Sequence, residues 1–340
     1  MLTVFGASRV IDLKKFLLKS SMVVLLTIGM IVCWGLYIGF NDADLEQPVN
    51  ITIKRGESLY ATSLALERAG VISHSQSFRL FARLFGTGSG IKAGKYRFEP
   101  GETGFQVLQK IYRGYFSKNR IRVQEGWTFR DLRNALDGHE AISHETTNWS
   151  EQEIINRLEI QEKYLEGLFF PDTYVFSGGE SDLELLRIAY EELNDIIAEE
   201  WMSRSPEAAV KTPYEALILA SIIEKETSLD EEKPIVSGVF SNRLKKGMRL
   251  QADPTVIYGV RDEYKGDIRY KHLRDDNPYN TYTRSGLPPS PIALVSLSSI
   301  QAALNPAKTS ALYFVAKGDG THHFSDTLRE HNRAVRKYQR

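Results

Sequence analysis

Between Met22 and Phe40 no side chain is charged, and Val, Leu, Ile, Met, Trp and Phe dominate. A run of that length can cross about 30 Å of hydrocarbon as a helix. The pattern then changes period. Ile51-Thr52-Ile53-Lys54 alternates as a strand with one buried face does. Gly56 permits a tight turn, and Ser58 is placed to cap a helix running through Leu66. The same plan returns at Tyr96–Thr103, with Gly101, Thr103 and a helix through Ile111. It returns again at Ile121–Thr128, with Gly126, Thr128 and a helix through Leu136. Past Gly138 the spacing turns mainly helical, as in Glu151 to Leu158 and Asp182 to Trp201. The reading is an α+β chain. Residues 1–20 form a tail and 21–41 a transmembrane helix. Residues 49–120 form a small first domain, and 121–340 a larger, mixed, mainly helical domain.

One helix carries the chemistry. Leu217 to Thr227 is an apolar stretch ending on carboxylates. Counting back from Glu226 by three, four and seven gives Ile223, Ile222 and Leu219, all large and apolar. A helix puts those positions on one face, so Glu226 continues the buried stripe. Burial there and the negative end of the helix dipole both favour the neutral acid. A general acid working near neutral pH needs that condition. Glu224 counts back to Ser221, Ala220 and Leu217, a smaller and more polar face, so Glu226 is the better candidate.

Charge gives the apolar run a direction. Arg9, Lys14, Lys15 and Lys19 precede it, while Asp42, Asp44 and Glu46 follow. The positive-inside bias puts the tail in the cytoplasm and the rest across the membrane. No small-x-small cleavage site follows the run, which favours an uncleaved anchor over a signal peptide. The single cysteine, Cys33, lies in this run, so the exported part has no disulfide. Formal net charge is zero, and no basic block argues for nucleic acid.

Other segments offer candidates. Leu165–Tyr174 reads as an aromatic-rich turn that Pro171 and Asp172 stop. Asp172 suits turn and cap chemistry better than a site. Val236, Val239, Phe240 and Leu244 mark the inward face of another helix. Asp253-Pro254 fits a helix N-cap followed by proline at the first helical position. The functional alternative makes Asp253 the second carboxylate of a glycosidase pair. Tyr279-Asn280-Thr281-Tyr282 and Gly286-Leu287-Pro288-Pro289 read as irregular loops, and Tyr faces with Asn and Thr polar groups suit a sugar-lined groove. His322, His323 and His331 lack a carboxylate or cysteine partner at ligand spacing, so no metal is expected.

These motifs, taken in order, carry a resemblance. Ala220–Thr227, Asn242-Arg243-Leu244, Arg249–Gly259, Tyr279–Tyr282 and Gly286–Pro289 resemble the endolytic murein transglycosylases of the YceG-like family. Leu168–Tyr174 and Tyr313-Phe314-Val315-Ala316 also match it. The first strand-turn-helix unit resembles the opening of a LysM module, a βααβ fold that binds N-acetylglucosamine polymers.

The resemblance implies a single-pass inner-membrane lyase whose catalytic domain is periplasmic. It would act on nascent peptidoglycan and cut glycan strands internally, between N-acetylmuramic acid and N-acetylglucosamine. The product would end in 1,6-anhydromuramic acid. Glu226 matches the family's catalytic Glu. Its carboxyl group would serve twice, first as acid and then as base toward the C6 hydroxyl, which agrees with Asp253 being a cap. Asn242, Gln251, Tyr258, Tyr279, Asn280, Thr281 and Tyr282 are the substrate-binding candidates. No cofactor is implied, and peptidoglycan synthases such as penicillin-binding proteins are the implied partners. Two readings from other classes compete: a hydrolase using Glu226 and Asp253 with water, and a non-enzymatic scaffold gripping cell wall through the LysM-like part.

Overall fold

The structure, a computed structural model, describes residues 19–31, 33–34, 37, 45–54, 56–84, 90–114, 119–176 and 180–339. Residues 19–31 are helical, and the large apolar side chains from Met22 to Met30 are exposed. The expected tail lies almost wholly outside the described residues, and the expected span lies partly outside them. No helix among the described residues is long and apolar enough to cross a membrane. The chain divides into two compact units, Met1–Asn119 with Phe176–Gly179, and Arg120–Val175 with Glu180–Arg340.

In the first unit β1 (Val49–Ile53) is followed by α1 (Leu59–Arg68), α2 (Ser75–Leu84), β2 (Gly94–Phe98) and α3 (Gly104–Arg113). β1 and β2 pair antiparallel, with Ile51 opposite Tyr96 and Ile53 opposite Gly94. Ile53, Leu66, Phe78, Phe81, Tyr96, Phe98, Leu108 and Ile111 form its core. The Tyr96 hydroxyl is satisfied there by donating to the Lys92 carbonyl at 2.6 Å, and burial pushes its pKa up to about 12.

The second unit takes in all but the first residue of β3 (Asn119–Arg122), then α4 (Phe129–Asp137), α5 (Glu151–Leu158) and all but the last residue of β4 (Thr173–Phe176), which pairs with β3. Helices α6 (Asp182–Met202), α7 (Pro213–Glu226), α8 (Lys233–Lys245), α9 (Asp253–Gly259), α10 (Tyr270–Arg274) and α11 (Leu297–Leu304) follow. The hairpin β5 (Tyr313–Ala316) and β6 (His322–Ser325) and then α12 (Leu328–Tyr338) complete it.

All three strand-turn-helix units form. Gly56, Gly101 and Gly126 take φ of 77°, 81° and 73°, the left-handed region that glycine enters without strain. Two residues later Ser58, Thr103 and Thr128 each accept a backbone N–H of the first helical turn. Thr103 and Thr128 form reciprocal capping boxes with Gln106 and Asp131.

α7 is the axis of the second unit. Thr212 caps it, Pro213 opens it, and every residue from Ala216 to Ile223 is buried. α6, α8 and α11 pack around it. A helix buried all round has no wet face, so the smaller face expected for Glu224 is also enclosed. The backbone of α8 comes so close to the segment leading to β5 that only glycine fits at 238. A Cβ there would stand 2.5 Å from the Ala307 carbonyl oxygen. Gly238→Ala gains about 1 kcal/mol of helix propensity but forces this approach apart. Urea unfolding is expected to show a net loss of about 1–2 kcal/mol, and an unchanged midpoint would count against the close approach.

Candidate active site

Glu226 is the last residue of α7 and is only partly exposed. It rests on Ile222, Ile223 and Leu219, each fully buried, as the helical phasing requires. Its pKa is raised to about 8. Burial is the largest cause and the Asp253 charge adds to it, while the Arg243 charge opposes both. Among the described residues none hydrogen-bonds the Glu226 carboxyl group. The proton it holds is therefore free for a ligand.

Asp253 departs from its expected role. The N-cap of α9 is Ala252, Asp253 is the first helical residue, and its side chain makes no cap bond. Instead the Tyr282 hydroxyl donates to Asp253 Oδ1 at 2.6 Å. The exposed Asp253 carboxylate thus stands beside Glu226 as a second charge. Linear sequence could not show this, because Tyr282 comes from a loop 29 residues away.

Arg243 ties the surrounding segments together from α8. Its Nε donates to the Leu312 carbonyl at 2.6 Å, and its Nη1 donates to the Leu250 carbonyl at 2.8 Å and to Gln251 Oε1 at 3.3 Å. The guanidinium lies 5.0 Å from the Tyr313 ring centroid. Neighbouring Asn242 donates to the Thr309 and Ala311 carbonyls at 2.8 and 3.1 Å, holding the lead into β5.

The candidate loop residues divide by burial. Asn280 and Thr281 are buried at 1% and 2% exposure. Asn280 donates to the carbonyls of His272 and Asp275, while Thr281 accepts the Ala252 N–H and pairs with Thr255. Their polar atoms organise the loop that carries Tyr282. Tyr258 and Tyr279 form an aromatic pair with centroids 4.8 Å apart. The Tyr258 hydroxyl donates to Glu166 Oε2 at 2.9 Å, and the Tyr279 hydroxyl pairs with Ser290. Of the candidates, Tyr282 interacts electrostatically with Glu226, and Gln251 bonds the Arg243 guanidinium, whose charge also reaches Glu226.

Two buried carboxylates have partners that the sequence did not show. Glu166 accepts the Phe129 N–H at the start of α4 as well as the Tyr258 hydroxyl, and burial pushes its pKa up to about 7. Glu166 lies in the Leu165–Tyr174 turn, where buried Leu165, Leu168 and Phe169 were the only local signal of enclosure. Glu224 is the other, two residues before Glu226. Its carboxylate accepts from the Ser296 N–H, the Ser296 hydroxyl and the Ser299 hydroxyl, with Lys233 Nζ 3.6 Å away. This network clamps the last turn of α7 to the start of α11, which Ser296 caps.

His322 also differs from expectation, since its Nδ1 meets Glu232 at 2.6 Å across 90 residues. His331 stacks on Tyr313. Asp172 makes a turn contact, accepting the Thr173 N–H. Asp137, His144 and Asp182 bring ligand-type atoms within 4.8 Å of one another. The Asp182 carboxylate is already taken up by the Glu145 and Thr146 amides and the Thr146 hydroxyl.

Residues 51–337 match the YceG-like family. A protein of Bacillus subtilis (strain 168) named endolytic murein transglycosylase is 33% identical over 322 residues, covering 87% of this chain and 86% of its own. A Streptococcus pneumoniae (strain D39) protein of the same name is 25% identical over 333 residues, and the match spans 86% of this chain and 59% of that relative. A crystal structure of a yceG-like protein from Listeria monocytogenes is 29% identical over 85% of this chain and 99% of its own, with a TM-score of 0.47.

The raised Glu226 pKa has a consequence for stability. The native state keeps a proton that the unfolded chain releases between about 4.5 and about 8. That stabilisation is complete below the lower value and is lost as pH rises through the upper one. Glu226→Gln cannot lose it, so its melting temperature relative to the wild type is expected to climb from about pH 5 to about pH 9. A pH-independent difference would contradict the assigned protonation. For Glu224, removal leaves Lys233, 4% exposed at its side chain, without its buried counter-charge. Glu224→Ala is expected to cost about 3–5 kcal/mol in denaturant unfolding, and a loss below about 1 kcal/mol would show that the clamp is dispensable.

Proposed function

The chain belongs to the YceG-like family, and on that premise we propose that it is an endolytic murein transglycosylase, a lyase that cuts peptidoglycan glycan strands internally. One observation carries the mechanism: a carboxylic acid that holds its proton to about pH 8 with no hydrogen-bond partner among the described residues. Protonated Glu226 donates to the glycosidic oxygen as the bond to C1 of the muramic acid breaks. The leaving sugar departs with that proton as a free 4-hydroxyl. The Glu226 carboxylate then takes the proton of the C6 hydroxyl while O6 closes on C1. The new end is a 1,6-anhydromuramic acid, no water is consumed, and Glu226 is again protonated.

The surroundings suit both halves of that cycle. The Asp253 charge and burial hold the proton on before the bond breaks, and the Arg243 charge steadies the carboxylate that forms next. Tyr282 fixes Asp253 in place by its hydrogen bond.

The charge-free run Met22–Phe40, with cations before it and acids after it, supports a single-pass anchor in the inner membrane. The catalytic unit then faces the periplasm and strands still being made by peptidoglycan synthases. The strand-helix-helix-strand order of the first unit supports reading residues 49–120 as a LysM-like, glycan-gripping domain followed by the catalytic domain at 121–340.

The closeness of Asp253 to Glu226 favours one rival, a hydrolase in which Asp253 activates water. Mass spectrometry of products from purified glycan strands separates the two. Anhydro ends are expected, and reducing ends would establish the hydrolase. In the lyase, Glu226→Gln should lower turnover by roughly 100- to 10,000-fold. Asp253→Asn should move the alkaline fall of kcat to lower pH, because the charge that holds the Glu226 proton is gone, while the products stay anhydro. A collapse of Asp253→Asn equal to that of Glu226→Gln at every pH would sink the single-carboxylate mechanism.

A further inference from the structure

Among the described residues only Glu159 and Gln251 hold a positive φ without being glycine. Glu159 has a local reason, since it closes the end of α5 and returns its N–H to the Ile155 carbonyl. Gln251, at φ 51°, closes no helix; it precedes Ala252, the N-cap of α9. Its backbone is pinned on both sides. The Gln251 N–H donates to the Thr281 carbonyl at 3.2 Å, and the following Ala252 N–H donates to the Thr281 hydroxyl at 3.0 Å. Glycine would meet this backbone without strain, whereas a glutamine here is strained in a way that clusters at functional sites.

The side chain has one fixed end and one open end. Gln251 Oε1 lies 3.3 Å from Arg243 Nη1. A guanidinium carries donors only, so the amide oxygen must face it and the Nε2 amide must turn away. Gln251 is exposed, and no described residue accepts from its Nε2. Arg243 interacts electrostatically with Glu226, and Asp253, two residues along, does the same. The open Nε2 amide thus sits on the guanidinium whose charge acts on Glu226, two residues before the carboxylate that does the same.

We propose that Gln251 is a specificity-determining residue that donates from Nε2 to the carbonyl oxygen of the 2-acetamido group on a sugar beside the cleaved bond. The proposal rests on the glycan reading above. A donor with its own oxygen already engaged recognises an acceptor. An acetamido group offers a carbonyl oxygen, whereas the ammonium of a de-N-acetylated sugar offers only donors and leaves Nε2 unpaired.

The test uses the full-length chain in detergent with two substrates: uncrosslinked, fully N-acetylated glycan strands, and the same strands after enzymatic de-N-acetylation. The readout is the ratio of kcat/KM between them, which does not depend on the fraction of each preparation that is folded. The wild type is expected to prefer acetylated strands by about tenfold, the scale of one hydrogen bond at an exposed site. In Gln251→Gly, which keeps the backbone conformation and drops the donor, the ratio should collapse toward one. Its melting temperature should not fall, because glycine relieves the strain. In Gln251→Glu, which still accepts from Arg243 but offers no donor, the ratio should collapse as well. Wild-type ratios in both variants, or no preference in the wild type, would overturn the proposal while leaving the lyase standing. A folded wild type that cleaves neither substrate would overturn the glycan reading itself.

Discussion

A carboxyl group keeps its proton near neutral pH only where water is largely excluded or a second negative charge stands nearby. Glu226 has both conditions, and the second unit is arranged to supply them. Helix α7 is buried through Ile223, so its last residue emerges from the core and not from a solvated face. The next segments return to that point. α8 brings Arg243, the 249–252 segment leads into Asp253, and the 279–283 loop brings Tyr282. None of these groups is near Glu226 unless α8 and α9 pack as they do around the end of α7.

Such a site stores unfavourable energy. A raised carboxyl pKa, a buried guanidinium and a left-handed Gln251 all oppose folding. The surroundings offset this with dense hydrogen bonding. Arg243 donates to backbone carbonyls that belong to two segments, so its desolvated charge is satisfied while it fixes their spacing. Glu224 does the corresponding work on the other side of the helix end, where three serine donors and Lys233 enclose it. The two acids two residues apart on α7 therefore divide the labour. Glu224 is fully partnered and immobilises the turn, and Glu226, without a hydrogen-bond partner among the described residues, retains its proton.

Glu166, from the Leu165–Tyr174 turn, shows the same economy where it meets α9. It satisfies the free amide at the start of α4 and the buried phenol of Tyr258 with one carboxyl group. Because Tyr258 and Asp253 are on the same short helix, that contact also fixes the helix that presents Asp253. The aromatic and amide side chains of this region thus act largely on one another. Asn242, Asn280 and Thr281 spend their polar atoms on backbone carbonyls, on backbone N–H groups and, for Thr281, on the Thr255 hydroxyl. Among the described residues none accepts from the Gln251 Nε2 amide.

Sequence alone determined what is local. Strand alternation, a turn glycine and a hydroxyl two residues later located three strand-turn-helix units, because each depends on φ freedom and capping within a few residues. Helical phasing picked Glu226 over Glu224, because a 3.6-residue period fixes which positions share a face. Tertiary structure decided what depends on partners distant in the chain. Asp253 looked like a cap in sequence, but the fold made it a charge beside Glu226 by bringing Tyr282 to it across 29 residues. Glu224 belonged to a smaller and more polar helix face in sequence, and α11 enclosed it by supplying serines more than 70 residues away. His322 looked unpartnered and met Glu232 across 90 residues. The physical reason is the same in each case. A side chain's charge state and hydrogen bonds depend on the dielectric and the donors around it, and only folding brings those together.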